Sequence, residues 1–219
     1  MTIDDIVKQR AAALLHTFRY DWPPSVEAED VRALDKLTFF PDAFGPGAVS
    51  GQLDRRSIAN VVIMAGSDRP HDASLWVRAS YRDYRGAYIA FLKKIYGLTV
   101  TPQDLAPYDV DHLLNRARAG GGGKTMLRIE AVRRSTNRQW GALIEKLAAS
   151  DKIAGNRRTS RLMSYLIAGK VADCAPPAGL DDRAGREQLA VALSSRGLNP
   201  DEVRKGLDNM LGHIARNQT

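Results

Sequence analysis

The chain has 219 residues, a formal net charge of +7 and a pI near 9.7. That length suffices for one domain with a real core, or one domain with helical appendages, and the cationic surplus suits an anionic partner, nucleic acid first. The single cysteine, Cys174, excludes intramolecular disulfides and a cysteine-rich zinc site. No apolar run approaches a membrane span, and no basic-then-apolar start reads as a signal peptide. The expectation is a chain with no membrane partner, cytoplasmic or exported without a cleavable signal peptide.

In chain order, Ile3, Ile6, Val7, Leu14, Leu15 and Phe18 recur at helical spacing and predict a helix over the first eighteen residues, stopped by YDWPPS. Ser25 reads as the cap of a second short helix with Val31, Leu34 and Leu37 inward. FFPDAFGPGAVSG reads as loop. Residues 58–64 suit either a strand or a buried helical turn. Asp72 or Ser74 opens a long helix carrying Leu75, Tyr84, Tyr88, Phe91, Leu92 and Ile95, with Gly97 its stop. Thr101-Pro102-Gln103-Asp104 reads as a helix start.

The middle of the chain reads differently. Residues 108–114 and 126–132 are β-prone and flank a glycine-rich loop, which predicts a hairpin. Ser135 or Thr136 then caps a helix through Trp140 and Leu147. The remainder reads as helical: residues 157–168, then 182–196 after the break DCAPPAG, then a last helix capped at Asn199-Pro200. Charge follows this organisation. Residues 109–170 hold 13 Lys and Arg against 5 Asp and Glu, which leaves the rest of the chain close to neutral. An anionic backbone belongs on that segment.

GGGGKT does not make a phosphate-binding loop. The earlier glycine that the motif requires falls on Arg118, and a strand rather than a helix follows Lys124. The pair Asp111-His112 carries more chemistry, because Asn137-Arg138 follows about twenty-five residues later at a helix start. Metal-assisted phosphodiester cleavage needs hard oxygen ligands for a divalent ion, a neutral histidine to take a proton from water, and a cation for the developing charge. Adjacent strand residues point to opposite sides, so Asp111 and His112 share one site only where the strand twists or ends.

These residues carry a resemblance. DVDHLLNR followed by TNRQWG resembles the ββα-metal, or HNH, nuclease family over residues 108–147, leaving the flanks uncovered. The resemblance implies that Asp111 is a metal ligand, His112 the general base and Asn137 the second ligand, with Arg138 near the phosphate. Asp109, two residues before Asp111 on the same strand face, is also in reach of the metal. The chain departs from the family pattern in three places. Thr125 or Met126 stands where most members have a middle Asn, the zinc-binding cysteine pairs are absent, and so is the last-helix histidine.

The expectation is therefore an α+β, mainly α-helical fold with an HNH-like hairpin–helix module between helical flanks. Residues 1–100 form a helical N-terminal region, 101–150 the ββα module and 151–219 a helical C-terminal region, all within one compact domain. The expected function is an endonuclease dependent on Mg²⁺ (or Mn²⁺/Ni²⁺) that hydrolyses phosphodiester bonds of DNA, with RNA the alternative partner, as an antibacterial toxin or a mobile-element nuclease. An immunity or inhibitor protein is the further partner if it is a toxin. Arg116, Arg118, Lys124, Arg128, Arg133 and Arg134 are the candidate nucleic-acid contacts. The alternative is a nucleic-acid-binding protein that keeps the fold without cutting.

Overall fold

The computed structural model describes residues 1–20, 23–37, 49–66, 70–116, 119, 122–145 and 160–216. Helix α1 (Ile3–Tyr20) starts where Thr2 and Asp5 exchange hydrogen bonds, Thr2 N–H to Asp5 Oδ2 at 2.8 Å and Asp5 N–H to Thr2 Oγ1 at 3.2 Å. This reciprocal pairing satisfies first-turn amides. Strand β1 (Ser25–Ala28), buried along its whole length, takes the place expected for a helix cap. Helix α2 (Val31–Leu37) begins two residues beyond that strand, and its real cap is Asp30, which accepts from Ala33 N–H at 2.9 Å.

The fold is α+β, as expected, with about half of it helical, but the expected single hairpin is part of a seven-stranded antiparallel sheet. Strands β2 (Val49–Gln52), β3 (Val61–Ala65) and β4 (Ser74–Arg78) form a meander, which resolves residues 58–64 in favour of strand. Strand β4 falls inside the segment expected as one long helix. Helix α3 (Tyr84–Tyr96) starts only at Asp83, whose side chain accepts from Gly86 N–H at 3.2 Å. Gly97 ends it in the left-handed region at φ 65°, as the sequence predicts. Residues 101–104 repeat the Thr–Asp box, Thr101 N–H to Asp104 Oδ2 at 2.7 Å, yet hold only a turn. Pro107 is the reason: it lacks the amide that a helix interior needs and pushes its predecessor toward extended backbone.

The hairpin itself is present as β5 (Tyr108–His112) and β6 (Met126–Arg133). It is not an isolated unit. β6 also pairs with β4 over Met126–Ile129 and with β1 at Met126 and Leu127. The sheet order is β2-β3-β4-β6-β1-β7, with β5 beside β6. Strand β7 (Ser160–Leu162) falls within the segment expected as a helix over 157–168 and pairs with β1; residues 157–159 lie outside the described residues. Both flanks thus lend strands to one sheet.

Helix α4 (Arg134–Trp140) follows β6 without a loop and runs into a π-helical turn at Gly141–Glu145. No side chain caps it, so neither Ser135 nor Thr136 does so; Leu147 lies outside the described residues. Ser164 caps α5 (Tyr165–Val171), Asp182 caps α6 (Arg183–Ser194), and Asn199 accepts from Asp201 and Glu202 amides at the start of α7 (Pro200–Arg216). These C-terminal helices pack with α1 and Trp140 into one apolar cluster, while α3 covers β3, β4 and the hairpin in another. No helix among the described residues is long and apolar enough to cross a membrane.

Candidate functional site

The hairpin register sets Asp109 opposite Val132, Asp111 opposite Glu130 and His112 opposite Ile129. Burial alternates along β5: Tyr108, Val110 and His112 are buried, Asp109 and Asp111 half-exposed. The two carboxylates therefore share one face and His112 takes the other, as period-2 geometry requires of a regular strand. The local irregularity that would bring Asp111 and His112 onto one side does not occur, because pairing stays regular through His112.

Helix α4 supplies the other half of the site. Arg134 and Asn137 are three residues apart, hence neighbours on one helical face, and both reach Asp109. Arg134 Nε donates to Asp109 Oδ1 at 3.1 Å and Asn137 Nδ2 to Oδ2 at 3.2 Å. Asn137 thus meets Asp109 rather than Asp111. An amide that donates through Nδ2 keeps its carbonyl oxygen as an acceptor. Arg134 N–H also donates to Pro107 O at 2.9 Å, which fixes the helix start against the start of β5.

Asp111 has a partner that the sequence did not suggest. Lys170, near the end of α5 and only 1% exposed, donates its ammonium to Asp111 Oδ2. The only textual signal was a lysine inside the otherwise apolar helix YLIAGKV. Next to Asp111, His112 is 5% exposed and packs edge-on against Tyr84, ring centroids 4.9 Å apart. Its Nε2 is buried without a hydrogen-bond partner among the described residues. Burial pushes its pKa down to about 4; the nearby Asp111 carboxylate opposes that shift, and Arg116 and Lys170 add to it. The imidazole is therefore neutral at physiological pH.

The expected nucleic-acid contacts divide into two groups. Arg116, Lys124 and Arg138 are exposed. Arg128 is 3% exposed and is corrected to a core residue, its Nε 3.3 Å from Glu130 Oε1. Glu130 also takes a bidentate pair from Arg10, at 2.8 and 2.6 Å, so it is committed to the interior. Arg133 pairs with Asp4 at 2.6 Å and with Asp173 at 3.3 Å, and Arg134 with Asp109. Arg118 lies outside the described residues.

Among the described residues, no group of three or more His, Cys, Asp or Glu side chains is placed to hold a metal ion. The available donors are two carboxylates and an amide oxygen, with the His112 imidazole on the opposite face of the strand. That set fits Mg²⁺ in kind, since Mg²⁺ takes one or two carboxylates and completes its shell with water and phosphate. Comparison with family models, curated proteins and solved structures gives no match. The functional reading rests on the chain's own residues.

Proposed function

We propose that the chain is a divalent-metal-dependent endonuclease that hydrolyses phosphodiester bonds of DNA, in the manner of the ββα-metal nucleases it resembles. The observation that supports this reading is the join between β5 and α4: Asp109 and Asp111 share a half-exposed face, and Asn137 reaches across 3.2 Å to Asp109. Asp109, Asp111 and Asn137 would hold the ion. Bound Mg²⁺ supplies charge stabilisation at the phosphate and leaving oxygens. His112, already neutral, would be the group that takes a proton from water, which requires the end of β5 to turn its ring toward the carboxylate face. The exposed Arg116, Lys124 and Arg138 attract the nucleic-acid backbone.

A second reading, DNA binding without cleavage, draws on a different observation. Both carboxylates already carry protein cations, Arg134 on Asp109 and Lys170 on Asp111, and His112 is covered. Plasmid nicking with Mg²⁺, Mn²⁺ and Ni²⁺, each with and without EDTA, separates the two. Cleavage that EDTA abolishes supports the nuclease. Salt-dependent binding with no nicking in any metal leaves the binder, and absence of both removes nucleic acid as the partner. An antibacterial or mobile-element role follows only from the first outcome.

A further inference from the structure

A groove runs along helix α1, and Asp109, Asp111, His112 and Asn137 are not among its walls. Asp4, Lys8, Ala12, Leu15 and Arg19 recur at three- and four-residue spacing on one face of α1 and line it from end to end. Val132, Val171 and Ala172, all buried, form the facing wall. The space holds about 520 Å³, within the usual range for a ligand site. From Asp4 to Arg19 the helix runs about 22 Å at 1.5 Å per residue. Spread over that length, the volume has a section on the order of 25 Å², whereas a helix with its side chains needs roughly 80 Å² or more. The groove is therefore shaped for a single slender chain.

Its two ends differ in charge. At the Asp4 end the cations already have their acids. Lys8 meets Asp4 at 2.6 Å, and Arg133 joins Asp4 at 2.6 Å to Asp173 at 3.3 Å. Tyr108 donates its hydroxyl to Asp4, and Thr136 donates its own to Asp173. At the other end Arg19 approaches the segment that carries Arg196: a Cβ on Gly197 would stand 2.9 Å from Arg19 Nη1. Arg196 donates to two main-chain carbonyls, Ala192 O at 2.6 Å and Ala172 O at 3.0 Å. Its guanidinium meets no carboxylate among the described residues. A carboxylate head at this end would gain charge-assisted hydrogen bonds from a guanidinium that the chain itself has fixed in place.

We propose that the groove binds a free long-chain carboxylate, its head on Arg196 beside Arg19 and its alkyl chain laid over Leu15, Ala12 and Val132 toward Asp4. The closed ion pairs at the Asp4 end leave the head one end to occupy. The buried apolar wall supplies the affinity for the chain, and the arginines set its direction. The proposal is independent of the metal-dependent reading above, because the two sites share none of the proposed metal ligands.

Isothermal titration of the full chain with dodecanoate, kept below its micelle concentration, tests this. Acetate serves as the head alone and dodecyltrimethylammonium as the same chain with a cationic head. Dodecanoate should bind at one site, and neither of the others should bind at the same concentrations. Arg196→Gln should weaken dodecanoate by about tenfold or more, the worth of a hydrogen bond to a charged group. Ala12→Phe, at an exposed helix position, should block binding by filling the groove. Equal binding of dodecyltrimethylammonium, or unchanged dodecanoate affinity in either folded variant, overturns the proposal, as does the absence of saturable binding. Should Arg196→Gln not fold, the comparison of heads in wild type and the loss in Ala12→Phe decide. Binding to phosphatidylglycerol vesicles without binding of free dodecanoate would put an anionic membrane surface on these arginines and also overturns it.

Discussion

Asn137 on the first helix after the hairpin donates its side-chain amide to Asp109 on the first strand, 3.2 Å away and 28 residues earlier in the chain. The contact closes strand, strand and helix into one unit, with Arg134 on the other oxygen of the same carboxylate. Asn137→Ala should abolish metal-dependent nicking while leaving DNA affinity within about twofold, because it removes a neutral group and no phosphate-neutralising charge. The stability loss should be about 1 kcal/mol, the worth of one partly exposed hydrogen bond. Nicking assays, filter binding and urea unfolding on the same preparation check all three. Undiminished cleavage in the variant would remove Asn137 from the site.

Glu130 faces a different task, although it stands directly opposite Asp111. It is 3% exposed and shared by Arg10 and Arg128, themselves 2% and 3% exposed. Arg10 is further tied to Ala73 O at 2.8 Å and lies over the Phe91 ring at 4.7 Å. Removing the carboxylate that both guanidiniums contact leaves two interior cations poorly compensated. Glu130→Gln should therefore cost about 3–5 kcal/mol, read as a lower urea midpoint at unchanged slope. A cost under about 1 kcal/mol would show that the network gives its charges to water instead.

Some of this was legible in the sequence, for local reasons. The hairpin was, because a glycine-rich loop between two β-prone runs leaves few alternatives. The last two helices were, because Asp182 and Asn199 announce their starts and Gly197 marks the turn between them. Strands β1 and β4 were not. Their residues are buried on both faces, so Ser25–Ala28 and Ser74–Arg78 lack the alternation that betrays a strand, and Leu75 falls into apparent helical register with α3. In the site, the resemblance drew attention to Asn137 and strand alternation to Asp109, but the expected partner of Asn137 was Asp111, whereas its amide meets Asp109. The Lys170–Asp111 pair was not, since the two lie 59 residues apart and meet only through packing of α5. Arg128 looked like one more basic residue of a cationic segment; only the sheet shows it turned inward.

His112 gives the fold a defined response to acid in the metal-free protein. Its pKa is about 4 when folded and 6.5 when free of the fold. Between those values the unfolded chain takes up a proton that the folded chain does not. The His112 contribution is therefore complete above pH 6.5, falls as pH drops through the window and is fully lost below pH 4, by up to about 3 kcal/mol. His71 shifts in the same direction, so the comparison has to be between variants. Urea unfolding in EDTA should show a steeper decline from pH 6.5 to 4 in wild type than in His112→Leu. Parallel curves would mean that the imidazole reaches water when folded.

The same substitution separates a catalytic from a structural histidine at neutral pH. A histidine kept for stability would be hydrogen-bonded, but His112 Nε2 is buried with no partner among the described residues, a defect that typically costs about 1–3 kcal/mol. Leucine removes the orphaned nitrogen and keeps apolar contact with the Tyr84 ring, which lies 4.9 Å from the imidazole. His112→Leu should thus unfold at the same or a higher urea concentration than wild type at pH 7.5. If His112 is the base, nicking should fall by about 10²–10⁴-fold. DNA affinity and its salt dependence should stay as they were, because no positive charge is lost. Cleavage lost together with stability would make His112 a packing residue, and cleavage retained in a stable variant would assign proton transfer to another group. Only lost cleavage in an equally stable, equally DNA-bound protein supports a base that the fold maintains at its own expense.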